Sequence, residues 1–467
     1  MASNDIYDAV IIGAGTSGGF IAQALVQAGM RCVTLEAGKD YTRTTYPTKE
    51  VDANAQLYWG GGVELTSDAG IGLLRPKVVG GGSIVNGALM DRFDDIAFDP
   101  WRDESGVSFF SRAQLDPFYD RANQEIAIQD IPEAYRNGNA EMFRRGFERN
   151  GYRYAPLHRA QSNCRYEDGN CCIECLSGCL IESKQTMAVT TLRRARQGGL
   201  EVVSELEVQH VEDGADEVTV TGVGPDRVQQ TFRGKRLVLA AGAIGNTRLL
   251  LASGFASRLP ALGQNFYTHP QYMILGRYEE PINSHRGPLQ TYKSDDPNFR
   301  RKGFKLENVF APAAAIALLL PRFGKRHFEL MKNISKLACI EVAVRDTNPG
   351  RIRLNSKGGA VVEKKLNDED RRRHDLGRDA IRNIFLSTGA KEILEGGFAI
   401  GLHLMGGCNM GVDGTKAVTS PEFRLHGSRN IYVGDSSIFP NAPGINPAFT
   451  IMALSIMAAD QILKDAR

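Results

Sequence analysis

The chain has 467 residues, of which 42% are hydrophobic and 24% charged, and its formal net charge is +2. This length predicts more than one structural unit, and the composition is typical of a globular protein. The near balance of charge gives no indication of a nucleic-acid-binding patch or of an acidic tail. No secretory signal pattern opens the chain, and the longest apolar run, 313–320, is shorter than the ~20 residues of a membrane-spanning helix. We therefore expect a cytoplasmic protein without a nucleic-acid partner.

The first unit predicted along the chain binds a dinucleotide. Its regular elements are a strand at 7–12, a helix at 19–28 and a second strand at 32–35. The turn before the helix has the pattern G-x-G-x-x-G, formed by Gly13, Gly15 and Gly18, and also contains Ser17. Its glycines allow a tight bend, the approach of a pyrophosphate and close packing of helix on strand. The helix N-terminus supplies N–H groups for the phosphates.

An acidic residue, Glu36, ends the second strand. It lies at the distance from the turn where a carboxylate accepts hydrogen bonds from ribose hydroxyls. Ala37 and Gly38 follow it, and the absence of an arginine there disfavours the 2′-phosphate of NADP. This motif alone does not separate FAD from NAD, and a glycine-rich turn in another α/β fold is the alternative interpretation.

A second glycine-rich segment follows at 80–92. Its glycines have no helical or strand periodicity, and backbone of this kind suggests close approach to a flat or charged group. Its candidate cofactor-binding residues are Gly81, Gly82, Ser83, Asn86 and Gly87. Further along, residues 236–254 predict a buried strand, a turn that contains Gly242, and a helix.

The C-terminal part of the chain adds motifs at 401–411, 430–440 and 446–450. They place His403 in a glycine-rich turn, Asp435 after a buried strand, and Asn446 with Pro447 before the last helix. Together with the earlier segments, these motifs resemble those of the glucose–methanol–choline oxidoreductases, in order and in spacing. The H-x-x-G-G-C form at His403 is similar to the subgroup that includes cholesterol oxidases and long-chain alcohol oxidases.

The resemblance implies an α/β fold, with a Rossmann-like FAD-binding domain and a discontinuous α+β substrate domain whose sheet roofs the flavin. It assigns residues 1–100, 190–270 and 400–467 to the FAD-binding domain. It assigns residues 101–189 and 271–399 to the substrate domain. Within the second part, strand patterns at 352–354 and 360–362 suggest members of the roofing sheet, and residues 368–383 predict a helix.

The resemblance also implies the cofactor, FAD. Relatives with covalent FAD usually carry a histidine in the segment that corresponds to 80–92, where this chain has none, so non-covalent FAD is expected. Val208 matches a valine on the adenine side of the cofactor, and Asp435 is expected to contact the ribityl chain. Pro447 is a further expected contact.

Oxidation of an alcohol removes a hydroxyl proton and a carbon-bound hydride, and the flavin takes the hydride. His403 matches the catalytic histidine of the family, and a neutral imidazole is suited to accept the proton. Asn446 matches the second catalytic position, where an amide orients the substrate oxygen. We therefore predict His403 as base and Asn446 as orienting residue, with His269 structural and Cys408 buried packing. The expected partner is a small-molecule alcohol, and a sterol, a long-chain alcohol, a sugar-type molecule and an aminoglycoside all stay open.

Four cysteines cluster in the middle of the chain, at Cys171, Cys172, Cys175 and Cys179, with Cys164 upstream. The spacing does not match the bacterial iron–sulfur run and lacks its proline. Some multi-subunit dehydrogenases of the family hold a three-iron cluster on a comparable segment. An iron–sulfur cluster, a zinc site and reduced thiols all remain open, and reduced thiols are the preferred interpretation.

The apolar run 313–320 precedes a basic stretch that contains Lys325, Arg326 and His327. It is interpreted as a buried helix, and the alternative is an apolar entrance or a contact with a membrane surface. Two rival functions are a flavin lyase or photodecarboxylase, and an electron-transfer subunit or iron–sulfur dehydrogenase. An intact pair of His403 and Asn446 argues against a lyase and against a redox-inactive FAD protein. The sequence does not identify the electron acceptor, so both an oxidase and a dehydrogenase stay open.

Overall fold

A computed structural model describes residues 6–165, 175–321 and 323–467. One part of the fold is organised around a parallel sheet of five strands, which come from both ends and the middle of the chain. In spatial order these strands are Ile431–Val433, Leu237–Leu239, Ala9–Ile12, Cys32–Leu35 and Glu201–Val203. All neighbouring pairs run parallel, as expected for short, continuous apolar strands covered by helices on both faces.

The predicted dinucleotide unit is present. The strand predicted at 7–12 is observed as Ile6–Tyr7 and Ala9–Ile12, and the helix begins earlier than predicted, at Thr16–Gln27. Helix Ala448–Asp465 packs against it. Together with the strands, these helices form the largest hydrophobic core of the described residues, so both ends of the chain stabilise one unit.

A second sheet of four strands lies beside the first. Its strands are Ile6–Tyr7, Gln229–Gly234, Val218–Val223 and Glu207–Asp213. Val208 lies in the last of these strands, where the register with the neighbouring strand shifts. This shift is a β-bulge, and bulges redirect side chains at the edges of sheets.

The largest sheet has nine strands and mixed directions. Along its path the strands are Glu64–Leu65, Ile71–Leu73, Ala399–Gly401, Pro270–Arg277, Leu337–Val344, Phe304–Asn308, Tyr292–Ser294 and Tyr154–Pro156, with Glu392–Glu395 paired to Pro270–Arg277 off this path. Helices Gly138–Arg149 and Asp368–Thr388 cover it with their own hydrophobic core. This sheet therefore has one face packed on helices and one free for a cavity.

Helices connect and cover the sheets. The α-helices of the described residues not yet named are Glu50–Leu57, Gly82–Val85, Asp95–Ser105, Arg112–Glu125, Thr191–Gln197, Gly242–Ala252, Pro297–Lys302, Ala313–Leu319 and Gly324–Lys332. The helix predicted at 368–383 extends to Thr388, where Gly389 ends it in the left-handed conformation. Short strand pairs complete the fold: Phe266–Tyr267 with Met405–Gly406, Ile128–Asp130 with His158–Ala160, and Arg351–Leu354 with Ala360–Glu363.

The placement of the strands predicted at 352–354 and 360–362 in the roofing sheet is wrong. They form a separate hairpin, Arg351–Leu354 with Ala360–Glu363. Ile352 packs with Ala243 and Ile244 of helix Gly242–Ala252 in a small core. The strand pattern was correct, but a pattern of alternation does not indicate which sheet a hairpin joins.

The interpretation of 313–320 as a buried helix is confirmed only in part. Helix Ala313–Leu319 buries Ile316 and Leu319, while Leu318 is 80% exposed. Among the described residues, no helix has both the length and the apolar character to cross a membrane.

The predicted domain division remains a prediction, and the cores of the two larger units share segments across its boundaries. Trp101 and Phe110, assigned to the substrate domain, pack in the core of the parallel sheet. Ile71–Leu73, assigned to the FAD-binding domain, is a strand of the largest sheet.

Candidate active site

A cavity of about 560 Å³ lies where the parallel sheet and the free face of the largest sheet meet. Most of the predicted site residues line it. The cofactor-binding candidates in its wall are Gly13, Gly15, Ser17, Glu36, Gly81, Gly82, Asn86, Gly87, Val208, Gly242, Asp435 and Pro447. The predicted catalytic pair, His403 and Asn446, lines the same cavity. Gly18 and Ser83 lie behind this wall.

The glycine turn brings backbone segments into close contact. A Cβ atom at Gly18 would lie 1.9 Å from the carbonyl oxygen of Gly13, and Gly13 itself has a left-handed φ of 102°. A Cβ atom at Gly81 would lie 2.6 Å from Cα of Gly15. Side chains would therefore separate the two glycine-rich segments, and their absence leaves bare backbone N–H groups along one wall of the cavity.

Glu36 lies at the end of its strand as predicted. Its carboxylate accepts hydrogen bonds from the backbone N–H groups of Ala14 at 2.9 Å and Gly38 at 2.8 Å. Burial raises the pKa of Glu36, and these backbone donors oppose that shift. Each carboxylate oxygen keeps a free lone pair for a ribose hydroxyl.

Asp435 lines the cavity, but its carboxylate is occupied within the protein. One oxygen accepts from the backbone N–H of Gly242 at 2.7 Å and from the Asn246 amide at 2.9 Å. The other accepts from the backbone N–H of Ser437 at 2.9 Å and from its hydroxyl at 2.5 Å. The side chain therefore joins the ends of two parallel strands, and its contact with a ribityl chain remains a prediction.

Ser83 and a lysine that the motifs do not contain fix the second glycine-rich segment. The Ser83 hydroxyl donates to the carbonyl of Gly80 at 2.6 Å and accepts from the N–H of Met187 at 3.0 Å. The buried Lys184 ammonium donates to the carbonyls of Ile84 and Asn86. Burial lowers the pKa of Lys184 to about 8. These side chains hold the cavity wall from behind.

At the other end of the cavity, His403 is joined to His269. Their Nδ1 atoms are 2.9 Å apart, and Nε2 of His269 accepts from the backbone N–H of Gly444 at 2.8 Å. Burial lowers the pKa of His403 to about 3, with Lys305 contributing, and lowers that of His269 well below its ordinary value. Both imidazoles are therefore neutral near pH 7.

Two neutral imidazoles allow the protons to be placed. Because His269 accepts at Nε2, its proton is on Nδ1, where it donates to His403. His403 then accepts at Nδ1 and carries its own proton on Nε2. Since Nδ1 of His403 is taken by His269, Nε2 is the nitrogen left for the cavity that His403 lines.

Asn446 is held by a carboxylate. Its amide nitrogen donates to Oε1 of Glu307 at 3.0 Å, and the amide of Gln290 donates to Oε2 at 3.0 Å. Lys305 forms an ion pair with the same Glu307 carboxylate. Glu307 and Gln290 line the cavity with Asn446, so Asn446 has one fixed orientation at this end.

A second carboxyl group, Glu341, lies opposite Glu307 across neighbouring antiparallel strands. Burial and the adjacent Glu307 charge raise the pKa of Glu341 well above its ordinary value, and the two side chains are hydrogen-bonded. Glu341 is therefore the protonated member of the pair and donates to Glu307. It also lines the cavity.

The positive charge of Lys305 is balanced from behind by Asp91. The Lys305 ammonium donates to Asp91 at 3.0 Å, and Lys293 pairs with the other Asp91 oxygen. Burial opposes ionisation of Asp91, but the two ammonium groups hold its pKa well below the ordinary value. Burial likewise opposes the charge on Lys305, whose pKa Asp91 and Glu307 raise.

Sequence reasoning did not identify this carboxylate network. In strand Phe304–Asn308, apolar and charged residues alternate, a pattern that normally indicates one face in solvent. Here every residue is buried, and the charged face lines the cavity or its wall. Glu341 did give a signal, because one acid within the apolar strand Leu337–Val344 is rarely buried without a partner.

Of the clustered cysteines, Cys171 and Cys172 lie outside the described residues. Cys175 and Cys179 are buried, and the backbone N–H of Lys184 donates to Sγ of Cys179 at 3.4 Å. No group of His, Cys, Asp or Glu in the described part of the chain has the arrangement of a metal site. The iron–sulfur alternative remains a prediction. Cys408 is buried and contacts Thr247, in agreement with its packing role.

The chain matches models of the GMC oxidoreductase family over 54–271 and, for the C-terminal part, over 347–455. The fold and the cavity thus define a class, and the chain belongs to the GMC oxidoreductase family. An uncharacterized GMC-type oxidoreductase of Mycobacterium tuberculosis is 27% identical and covers 97% of this chain and 75% of its own. Long-chain-alcohol oxidase FAO4A of Arabidopsis thaliana is 24% identical and covers 96% of this chain and 67% of its own.

Solved structures share the fold. Pyridoxine 4-oxidase from Mesorbium loti has a TM-score of 0.76 at 16% identity and covers 97% of this chain and 99% of its own. A fungal aryl-alcohol oxidase has a TM-score of 0.72 at 15% identity and covers 99% of this chain and 100% of its own. The predicted family and fold class are therefore confirmed, and the chain is an FAD-dependent oxidoreductase enzyme.

Proposed function

We propose that this enzyme oxidises the CH–OH group of an apolar, long-chain type of alcohol, with FAD bound non-covalently. One observation carries the proposal: beside the polar cluster of His403, Asn446 and Glu307, the substrate side of the cavity is lined largely by apolar side chains. The apolar side chains in this wall include Met273, Leu289, Val309, Leu318, Leu319, Phe398 and Ile400. A hydroxyl group would find partners in the polar cluster, and an aliphatic chain would contact the apolar side chains.

The residues at the cofactor end fit FAD. The Gly13–Gly18 turn and the Gly81 segment expose backbone that no Cβ atom covers, and Glu36 keeps acceptor capacity for a ribose. No cysteine lies among the described residues that line the cavity, and His403 is the histidine that lines it. This supports a non-covalent cofactor. When bound, FAD supplies the acceptor for the substrate hydride.

The hydrogen bonds of His403 argue against its predicted role as a base. With its proton on Nε2, His403 donates a hydrogen bond to the substrate oxygen and does not remove a proton from it. The opposite tautomer would place an N–H of His269 against the N–H of Gly444, which leaves a buried donor without an acceptor and costs about 1–3 kcal/mol. In this proposal His403 orients and polarises the hydroxyl, and His269 is the positioning residue that fixes the tautomer.

The proton acceptor we propose is Glu307, the carboxylate beside Asn446. In the resting enzyme the Glu307 and Glu341 pair holds one proton, which is on Glu341. Transfer of the hydroxyl proton to Glu307 leaves the pair neutral, and one of the four donors on Glu307 must turn away to free an oxygen lone pair. Lys305 can do so because its ammonium group keeps its hydrogen bond to Asp91. Asn446 is kept in place by the same carboxylate.

The substrate class is tested by anaerobic addition of alcohols of increasing chain length to the yellow holoenzyme. Bleaching of the flavin absorbance is expected with long-chain alcohols and more weakly with glucose, because a sugar would leave its hydroxyls unpaired against apolar side chains. Failure of every alcohol to bleach a flavin that dithionite reduces would contradict the proposal.

The assignment of roles is tested by a pair of variants at one position. His403→Gln keeps an N–H donor and His403→Leu does not, so we expect H403Q to bleach about tenfold faster than H403L, the value of one hydrogen bond. If His403 acted as a base, both variants would lack that base and their bleaching rates would be equally low. Glu307→Gln, which retains the size of the side chain, should lower the bleaching rate by about 10²–10⁴-fold as for loss of a proton acceptor.

A further inference from the structure

The opening of the cavity is surrounded by exposed apolar side chains. Val63, Leu318 and Phe398 both line the cavity and are exposed to solvent, and such residues mark where it opens. Phe323 and Phe328 follow Leu318 in the chain and are 90% and 64% exposed. We call these side chains, namely Val63, Leu318, Phe323, Phe328 and Phe398, the mouth patch.

The surroundings of two glycines show that Val63, Phe398 and the helix of Leu318 are neighbours. A Cβ atom at Gly72 would lie 2.8 Å from the Phe398 ring and 3.2 Å from a methyl group of Val63. A Cβ atom at Gly396 would lie 2.7 Å from the carbonyl oxygen of Leu319. Phe398, Val63 and the helix that carries Leu318 therefore lie side by side.

Two anchors hold the mouth in place. The Glu50 carboxylate accepts from the backbone N–H groups of Ala314 and Ala315, both at 2.8 Å, and so fixes the start of helix Ala313–Leu319. Leu319 and Leu330 share a hydrophobic core with Met273 of the cavity wall. The apolar side chains of the mouth patch are therefore exposed to solvent, although the segments that carry them are packed in place. Large exposed apolar groups cost free energy in water unless they contact a partner.

Positive charge adjoins the patch. Helix Gly324–Lys332, which carries Phe328, contains Lys325, Arg326 and Lys332 against the single acid Glu329. Arg326 pairs with Glu392, whereas neither Lys325 nor Lys332 takes part in an ion pair between described residues. An exposed apolar surface with lysines along its edge is the pattern of a protein that inserts side chains into the interface of an anionic membrane.

We propose that the mouth patch docks on a lipid surface that contains anionic headgroups, so that the cavity opens directly towards the bilayer. This inference rests on the proposed apolar alcohol, because such a substrate dissolves in the bilayer rather than in water. Phe323 and Phe328 would lie among the acyl chains, and Lys325 and Lys332 would contact the headgroups. A second copy of the chain is the alternative occupant, but two copies would bring like charges of this helix together.

The test is flotation of the holoenzyme, without substrate, with vesicles of phosphatidylcholine alone and of phosphatidylcholine with phosphatidylglycerol. We expect binding to the anionic vesicles that falls as salt concentration rises. The double variant Phe323→Ser/Phe328→Ser should lower the partition coefficient by roughly tenfold or more, since two large apolar side chains no longer leave water. Leu386→Ser is the matched control, because Leu386 is also 64% exposed but lies on helix Asp368–Thr388.

Vesicle binding is measured without substrate turnover. Loss of vesicle binding and loss of alcohol oxidation can therefore be observed independently of each other. Equal flotation of wild type and the double variant would overturn the proposal. So would a wild-type dimer that the double variant converts to monomer while neither binds vesicles. Support requires loss of vesicle binding with unchanged oxidation of a detergent-dispersed alcohol, because neither Phe323 nor Phe328 lines the cavity.

Discussion

The two ends of the cavity are built from different parts of the polypeptide. At the cofactor end, glycine backbone and helix N-termini form the wall, and side chains such as Ser83 and Lys184 act from behind it. At the substrate end, buried side chains form the site: His403, Glu307 and Glu341 line the cavity, supported by Lys305 and Asp91. The first end depends on the absence of side chains, whereas the second depends on exact partners for each buried charge.

The largest effect should follow from adding one carbon at the cofactor end. In Gly18→Ala the new Cβ would lie 1.9 Å from the carbonyl oxygen of Gly13, a contact that only a shift of helix against strand relieves. We expect little folded, yellow protein, measured as the ratio of flavin to protein absorbance and as the yield of soluble chain. Gly397→Ala is the control, since its Cβ would meet no atom within 4 Å. Normal flavin content in G18A would show that the turn tolerates side chains.

The next effect belongs to the substrate end. Lys305→Met removes the cation between two buried carboxylates, Asp91 and Glu307. Removal of one partner from a buried ion pair costs about 3–5 kcal/mol, so the free energy of unfolding should fall by that amount in urea titrations. Lys302→Met, at an exposed lysine three residues earlier, should change it by less than about 0.5 kcal/mol. Similar small changes in both variants would mean that the network is not fully buried.

A smaller effect is expected in acid. The folded-state pKa of His403 is lowered to about 3, below the ordinary 6.5. A lowered pKa gives stability that is present above the unfolded value and is lost as pH falls towards the folded value. Between pH 7 and pH 5 the wild type should therefore lose roughly 2 kcal/mol through this residue. The His403→Gln variant has no titrating side chain at this position, so its free energy of unfolding should fall by roughly 2 kcal/mol less over the same interval. A pH-independent cost of the substitution does not change this difference. Identical pH slopes would contradict a buried, neutral His403.

The sequence predicted the cofactor end well because its physics is local. A glycine turn between strand and helix is specified by adjacent residues, and Gly13, Gly15, Glu36 and Gly81 all line one cavity, while their contacts with the cofactor stay a prediction. The substrate end is specified by pairing across distant strands. Glu307 faces Glu341 only through the register of the sheet, and no periodicity within either strand contains that register.

The same limit applies to His403. The motif placed this residue in the cavity, as predicted, but its tautomer depends on His269 and on the backbone N–H of Gly444. These groups are far apart in the chain. A role in proton transfer is therefore decided by contacts that appear only in the folded structure.

The last contrast separates the two facing carboxyl groups. Burial and the charge of Glu307 raise the pKa of Glu341 in the folded state. A raised pKa gives stability that is complete below the unfolded value, near 4.5, and that is lost as pH rises towards the folded value. Glu341→Gln keeps an N–H donor for Glu307 and cannot ionise. We expect the variant to match the wild type near pH 4 and to be the more stable of the two at pH 8.

Glu307→Gln is the matched comparison, because it replaces the other member of the same pair. It removes the anion that Lys305 contacts, so it should destabilise the protein at every pH rather than stabilise it at high pH. Urea titrations of both variants at pH 4 and pH 8 measure this contrast. If E341Q were destabilised at pH 8 and E307Q were not, the proton would lie on Glu307 instead. Glu341 would then be the carboxylate that receives the substrate proton, while His403 would keep its donor role, since its tautomer is set independently by His269.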